Sequence, residues 1–378
     1  MLPIQKLIEL RHTLHAHPEV SGTERDTAAL VESYLRPLKP DGLLTGVGGH
    51  GLIATFDSGQ PGPALLFRSE LDALPIVETN QFGHKSETPG VSHKCGHDGH
   101  TAILCGLAEL LAAQRPAHGK VYLLFQPAEE TGAGAEAVLR DPKFAKVKPD
   151  LGVALHNFPG VTRHVVIIRN GIFTAAVSSM VVHLLGRTAH ASEPENGLSP
   201  ALAVAELLRA CDGLNLNDPS SPEFKLVTPV HVRVGSPAYG VAAGDGEVHL
   251  TLRSWDNTRL EMLRSTIAGL VEDICSQHRL QFRLEMLQKF HANYNDPQVA
   301  DLVRQAAADE NRTVVEADSP VKGGEDFGLF TECFPCCMFG LGAGEDTPAL
   351  HSPDYDFPDE IIETGVRIFN RIVRKQIV

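Results

Sequence analysis

The sequence predicts an α/β protein with a larger domain built on a central mixed, mainly parallel sheet and a smaller α+β domain inserted into it. Three observations carry this expectation. Short, wholly apolar runs alternate with helical stretches through the amino-terminal part of the chain. Near Ile172 the pattern changes to polar–apolar alternation, and it changes back after Asn293. With 378 residues and 43% hydrophobic side chains, the chain is long enough to fill two cores.

The elements follow in order. The stretch from Leu2 to His15 is amphipathic at helical period, and a second helix is expected over about Thr23 to Leu35, with Thr23 and Asp26 resembling a capping box. The runs GLIATF, ALLFRS, VYLLFQ and LGVALH read as strands, and DGHTAILCGLAELLAA, between the second and third, reads as a helix. Strands that are apolar along their whole length are covered on both faces, which is the condition of a parallel layer. VSSMVVHLLG, VTPVHVRVG and GEVHLTLRS instead alternate as antiparallel strands do, with helices near 198–212 and 257–277. A four-stranded antiparallel sheet with two helices is therefore expected over 175–290, leaving 1–174 and 291–378 as one discontinuous domain. The leucine and alanine stripe of 201–208 reads as helix packing within the insert. After Asn293 come a helix, the loop KGGEDFG, the strand CMFGLG and a terminal helix from about Asp359.

Charge and composition exclude several functions. A formal net charge of −14 repels phosphate backbones and anionic lipid, so neither nucleic acid nor a membrane surface is expected as a partner. No run approaches the apolar length of a spanning helix, and MLPIQKLIELRHTLHAHPEV lacks the uninterrupted apolar segment of a secretory leader. A cytoplasmic enzyme is the expectation. Seven cysteines, an odd number that includes the adjacent Cys336 and Cys337, do not make a disulfide framework and fit a reducing compartment.

The chemistry concentrates in HKCGHDGH, residues 93–100. Imidazole and thiolate are the side chains that best hold a divalent transition metal, and Cys95 and His97, two apart, fall on one side of an extended loop. Four further stretches place polar groups where strands end: Asp72 in RSELDALP, Glu129 and Glu130 in QPAEETGAG, His156 in ALHNFPG and His351 in LHSPDYDF. Open α/β sheets carry their sites at such positions. A dinuclear centre needs imidazole-rich ends, a group bridging the metals, and a nearby carboxylate free to accept a proton, and the chain offers all of these. Consecutive side chains diverge, so one glutamate of the pair can ligate while its neighbour faces the water to be activated.

Other readings compete. Gly132, Gly134 and Ala137 satisfy the loose dinucleotide spacing G-x-G-x-x-A, but Glu129 and Glu130 would repel a pyrophosphate. A Cys95 nucleophile paired with a histidine explains neither the glutamate pair nor the downstream histidines. A binding protein that kept the fold and lost turnover is the alternative from a different class. His12, His15 and His17 read as surface or packing residues, and Glu325 and Asp326 can be read as a helix cap.

Taken together, RSELDALP, HKCGHDGHTA, QPAEETGAGAEAVL, LHNFPG, GRTAHAS, GGEDFG and LHSPDYDF resemble the ordered motifs of the metallopeptidase and amidohydrolase family that holds aminoacylases, carboxypeptidase G, hippurate hydrolase and the plant auxin-conjugate hydrolases. The likeness covers nearly the whole chain and is greatest for the N-acyl-amino-acid amidohydrolases. It implies a zinc-peptidase-like catalytic domain interrupted by a lid domain that often dimerises, and a small-molecule amide substrate. It implies two divalent ions per subunit, zinc or manganese, with cobalt or nickel also accepted by such donors. Matched position by position, Cys95, His97, Glu130, His156 and His351 correspond to the metal ligands, Glu129 to the general base and Asp72 to the aspartate that orients a ligand. His190 of GRTAHAS corresponds to the lid histidine that reaches the substrate oxygen and Arg253 to a substrate-binding arginine, while His100 reads either as a residue behind the ligands or as the polar start of a helix. The chain departs from that branch in carrying Glu70 where aspartate is usual, and in lacking an asparagine upstream of Arg253 in PAYGVAAGDGEVHLTLR.

Overall fold

In the parallel strands Ala64–Glu70, Lys120–Gln126, Leu151–Pro159 and Cys336–Gly344, successive side chains enter different cores. Leu65, Phe67, Leu123, Phe125, Val153 and Leu155 join one apolar cluster, and Leu66, Leu124 and Ala154 join another. A strand buried on both faces has no polar side to alternate with, which is why these runs are apolar throughout. The computed structural model describes residues 2–377. They form two compact units, residues 2–173 with Asn293–Asp318 and 325–377, and Thr174–Ala292 with Ser319–Gly324.

In the first unit an eight-stranded mixed sheet holds those parallel strands at its centre. Gly42–Val47 and Gly51–Asp57 extend it antiparallel on one flank, and Val166–Ile168 and Val314–Glu316 complete the other. Helices Ile4–Ala16, His97–Ala113, Pro297–Asp309 and Ile362–Ile377 pack on one another and cover one core through Leu7, Ile103, Leu107, Val303 and Phe369. Because the four central strands run the same way, their carboxyl ends gather along one edge of the sheet, where Asp72, Glu129, Glu130 and His156 lie.

One expected local feature differs. The second helix begins at Arg25, and no side chain caps it; Thr23 Oγ1 donates to the Val20 carbonyl, 2.8 Å away, so Thr23 and Asp26 form no capping box. Glu24 is buried instead, and its Oε1 accepts from the N–H groups of Gly22, 2.8 Å, and Ala128, 2.7 Å. Tertiary contact outweighs the cap here: a carboxylate tied to the turn that carries Glu129 is unavailable to its own helix. Ala128 holds a positive φ of 54° in that turn, which few non-glycine residues adopt.

The second unit is a four-stranded antiparallel sheet in the order Lys225–Val234, Asp245–Ser254, Ala176–Leu185, Gln281–Phe290. Helices Ala201–Asp212 and Asn257–Gln277 cover one face, with Ala203, Val204 and Leu207 from the 201–208 stripe packed against Val248, Leu250 and Ile267.

Candidate metal centre

The helix His97–Ala113 starts inside the ligand-rich loop, so Cys95 precedes its first turn and His97 opens it. Gly96 between them has φ 98°, and a Cβ there would lie 2.3 Å from Asn157 Oδ1; only glycine permits this turn against the neighbouring strand. Across the strand ends, His156 Nε2 lies 3.4 Å from Cys95 Sγ. His97 Nε2 lies 3.9 Å from both Glu129 Oε2 and Glu130 Oε1. From the carboxyl-terminal loop, His351 Nε2 lies 3.7 Å from Glu130 Oε2. His351 has φ 66°, and its N–H donates to the Lys94 carbonyl at 2.7 Å, which ties the loop to the residue before Cys95. Donor triads overlap here: Cys95 with His97 and His156, Cys95 with Glu130 and His351, His97 with Glu129 and Glu130, and Glu70 with His97 and His100.

Hydrogen bonds behind the cluster set which ring nitrogen faces it. His97 Nδ1 donates to the Asp72 carbonyl, 2.9 Å, with the Asp72 carboxylate 3.4 Å away, and His156 Nδ1 donates to the Asn157 carbonyl, 2.9 Å. Each Nε2 lone pair is thereby directed inward. Asp72 is itself held by Ser21 Oγ at 2.7 Å and the Glu130 N–H at 2.9 Å, so it orients a histidine and the adjacent glutamate together. His100 packs beside His97 and His156 with both ring nitrogens engaged, bridging Glu70 Oε2 and Asn157 Oδ1, each at 2.7 Å, and Asn157 in turn donates to Tyr355 Oη at 2.6 Å.

The donor set fits a divalent cation. His97 Nε2 and Glu130 Oε1 are buried without a hydrogen-bond partner, and they face each other across 3.9 Å. Metal–ligand bonds of about 2.0–2.2 Å span such a gap. Burial, then the neighbouring carboxylates, push the Cys95 thiol well above its ordinary pKa and Glu129 well above the carboxylate range. Burial likewise raises Glu130 to about 7, against the pull of His97. Cys95 shares this cluster with Glu130 and His351 as well as with His156, and a thiol nucleophile paired with one histidine gives those further donors no role.

Glu129 has further company. Its Oε1 accepts from the Asp326 N–H at 3.4 Å, and Glu325 and Asp326 are both buried. Arg68, wholly buried in its strand, pairs with Glu70, with Glu325 at 3.0 Å and with Asp326 at 2.6 Å. Asp326 also accepts from Gln126 Nε2 at 2.8 Å and from the Ala135 N–H at 2.9 Å. GGEDFG thus supplies buried charge rather than a helix cap. The Ala135 bond also disposes of the dinucleotide reading, since the amide a phosphate would need is taken by a carboxylate. Glu70 uses its extra methylene to reach both Arg68 and His100. Sequence reasoning passed over Arg68, Asn157 and Tyr355; an arginine inside the apolar run ALLFRS was the one available signal, because such a charge must find buried partners.

Of the residues near the amino terminus, His15 is buried between Asp98 Oδ2, 2.8 Å, and Glu78 Oε1, 3.0 Å, and His17 is exposed; neither is among the donors grouped above. All seven cysteines are free. In the second unit, His190 is exposed on the short strand Ala189–His190, and its Nδ1 accepts from Ser192 N–H at 3.1 Å and lies 2.7 Å from Ser192 Oγ. An N–H can only donate, so the neutral ring carries its proton on Nε2, ready to donate outward. Arg253 Nη1 donates to the Lys322 carbonyl at 2.6 Å; burial lowers its pKa, with no carboxylate to offset it.

A mixed α/β sheet that gathers imidazole, thiol and carboxylate donors at its parallel strand ends has the make-up of a metal-dependent protein. Residues 66–375 match peptidase family M20/M25/M40, and the chain belongs to that family. It is 31% identical over 369 residues to the N-acetyl-L-cysteine deacetylase of Bacillus subtilis (strain 168), spanning 95% of this chain and 85% of the relative. It is 27% identical over 364 residues to the N-acetyldiaminopimelate deacetylase of Bacillus velezensis, spanning 96% of each. Among solved structures, a dinuclear metal-binding peptidase of the M20 family from Bacillus subtilis matches with a TM-score of 0.82 at 25% identity, covering 98% of this chain and 97% of that one. Among the described residues no helix is long and apolar enough to cross a membrane.

Proposed function

We propose that the protein hydrolyses the amide bond of N-acyl amino acids or related small amide conjugates, with Glu129 as the proton carrier beside two divalent ions. The observation that carries this reading is the divergence of the glutamate pair: Glu130 points between His97 and His351, while Glu129 is buried beside His97 and the Asp326 amide. Cys95, His97, Glu130, His156 and His351 would hold the ions, with Cys95 common to two of the donor triads. When bound, the ions supply the positive charge that polarises a scissile carbonyl and acidifies water. Imidazole and carboxylate accept zinc, manganese, cobalt or nickel, and the thiolate favours the softer of these.

Glu129 takes a proton from the attacking water as its oxygen bonds to the carbonyl carbon, then gives that proton to the nitrogen as the carbon–nitrogen bond breaks. His190 donates its Nε2 hydrogen to the carbonyl oxygen as negative charge grows there. Arg253, a half-buried cation facing no carboxylate of its own, receives the carboxylate of the substrate. The inserted unit, over 175–290, acts as lid and dimerisation element, and the enzyme works in the cytoplasm, where its free thiols stay reduced.

Chelation is expected to abolish turnover of a panel of N-acyl amino acids, and added zinc, manganese, cobalt or nickel to restore it. Cys95→Ser should lower metal content by mass spectrometry together with activity, because a hydroxyl that stays protonated near neutral pH replaces a thiolate poorly. Turnover that survives metal removal, or a panel in which no N-acyl amino acid is cleaved, would refute the reading.

A further inference from the structure

The inserted sheet has a face that its helices do not cover. Val248, Leu250 and Leu252 point into the core beneath those helices, so the intervening Glu247 and His249 point the other way. His231, on the edge strand Lys225–Val234, sits directly across from His249, and their rings meet edge to face at 82° with centroids 5.1 Å apart. His249 Nε2 is 3.8 Å from Glu247 Oε2, and one donor atom from each of the three residues lies within 4.8 Å of the others.

We propose that His231, Glu247 and His249 form an additional metal site on this open face, for a divalent transition ion such as zinc or nickel. Two imidazoles and a carboxylate are the donors of many zinc sites, and they select such ions over magnesium or calcium, which prefer oxygen. Three features favour the site over a plain row of surface charges. The strand pairing shifts register between Pro229 and His231, and an irregularity of this kind re-aims the side chain that follows it. It brings the two histidines into one cross-strand pair, with Glu247 two residues from His249 on the same face.

The competing ion pair is replaceable. Arg233 holds Glu247 through Nη2, 3.2 Å from Oε1, and Nε, 3.4 Å from Oε2, while its Nη1 reaches Asp245 Oδ2 at 2.6 Å, so on releasing Glu247 Arg233 keeps a counter-charge. On the far side, His183 Nδ1 stands 3.5 Å from Glu247 Oε1 and steadies the carboxylate there. His249 Nε2 and Glu247 Oε2, 3.8 Å apart, stand wider than the roughly 3.3 Å edge that bonds of about 2.0–2.1 Å give a tetrahedron. Exposed side chains on a sheet surface can close that difference by rotation, since His231 is exposed and Glu247 and His249 are half-exposed. A bound ion would pin the edge strand to its neighbour Asp245–Ser254.

The inference is independent of the reading of the catalytic centre, because its test compares parent and variant carrying the same catalytic metals. Zinc chloride is added to the metal-loaded protein, and bound zinc is counted after equilibrium dialysis. The parent should take up one further equivalent; His249→Ala and His231→Gln should weaken that uptake at least about tenfold while turnover stays at the parental level. Amide hydrogen exchange in 225–234 should slow on adding zinc to the parent and not to His249→Ala. If the parent binds no zinc beyond its catalytic ions, or if both variants bind as much as the parent, the site does not exist. Glu247→Gln, which removes the charge with little change in shape, provides the same comparison should either histidine variant fold poorly.

Discussion

Glu129→Gln is expected to lower turnover by about 10² to 10⁴, the contribution of a positioned general base, with both metals retained. The substitution keeps size and the hydrogen bond from the Asp326 amide but removes the basic carboxylate. Burial and the nearby Glu325, Glu130 and Asp326 raise the pKa of Glu129, which makes its carboxylate a stronger base than an exposed one. The neighbouring change should behave differently. Glu130 faces His97 at 3.9 Å and His351 at 3.7 Å, so Glu130→Gln weakens an anionic ligand, metal occupancy falls, and excess metal partly restores activity. Metal stoichiometry measured beside turnover decides the matter. Loss of metal from Glu129→Gln with retention in Glu130→Gln would reverse the two roles, and full activity in both would end the mechanism.

His190→Ala should cost about 10² to 10³ in turnover with metal content unchanged, the effect of removing one donor to a developing oxyanion. The bonds to Ser192 leave Nε2–H as the donor, so the loss should appear in kcat more than in KM: the bond strengthens only as charge develops on the oxygen. If the lid histidine serves the partner subunit of a dimer, mixing inactive His190→Ala with inactive Glu129→Gln subunits should restore part of the activity. No recovery after confirmed subunit exchange would place His190 in its own subunit's reaction.

Much of the fold was legible because the signals are local. A wholly apolar run such as ALLF or VYLLF declares a strand covered on both faces, and the alternation in GEVHLTLRS declares one covered on a single face, whatever the rest of the chain does. The donor residues were legible for a similar reason. Cysteine, histidine and paired glutamate have few uses at strand ends, and each motif declares its own chemistry. Where local rules met tertiary contacts they failed: Thr23 and Asp26 have the spacing of a capping box, yet Glu24 is drawn away to the amide of Ala128, far along the chain.

The sequence by itself determined the class of chemistry, the strand and helix pattern and the residue types that gather at the strand ends, since these depend on side-chain type and on periodicity over a few residues. Tertiary structure decided which glutamate faces His97 and His351, how Asp72 holds a histidine and the Glu130 amide together, and that Arg68 meets Asp326 across 258 positions of sequence. Those pairings join residues remote in the chain, and they exist only because buried charges must find partners once the sheet and its helices have excluded water.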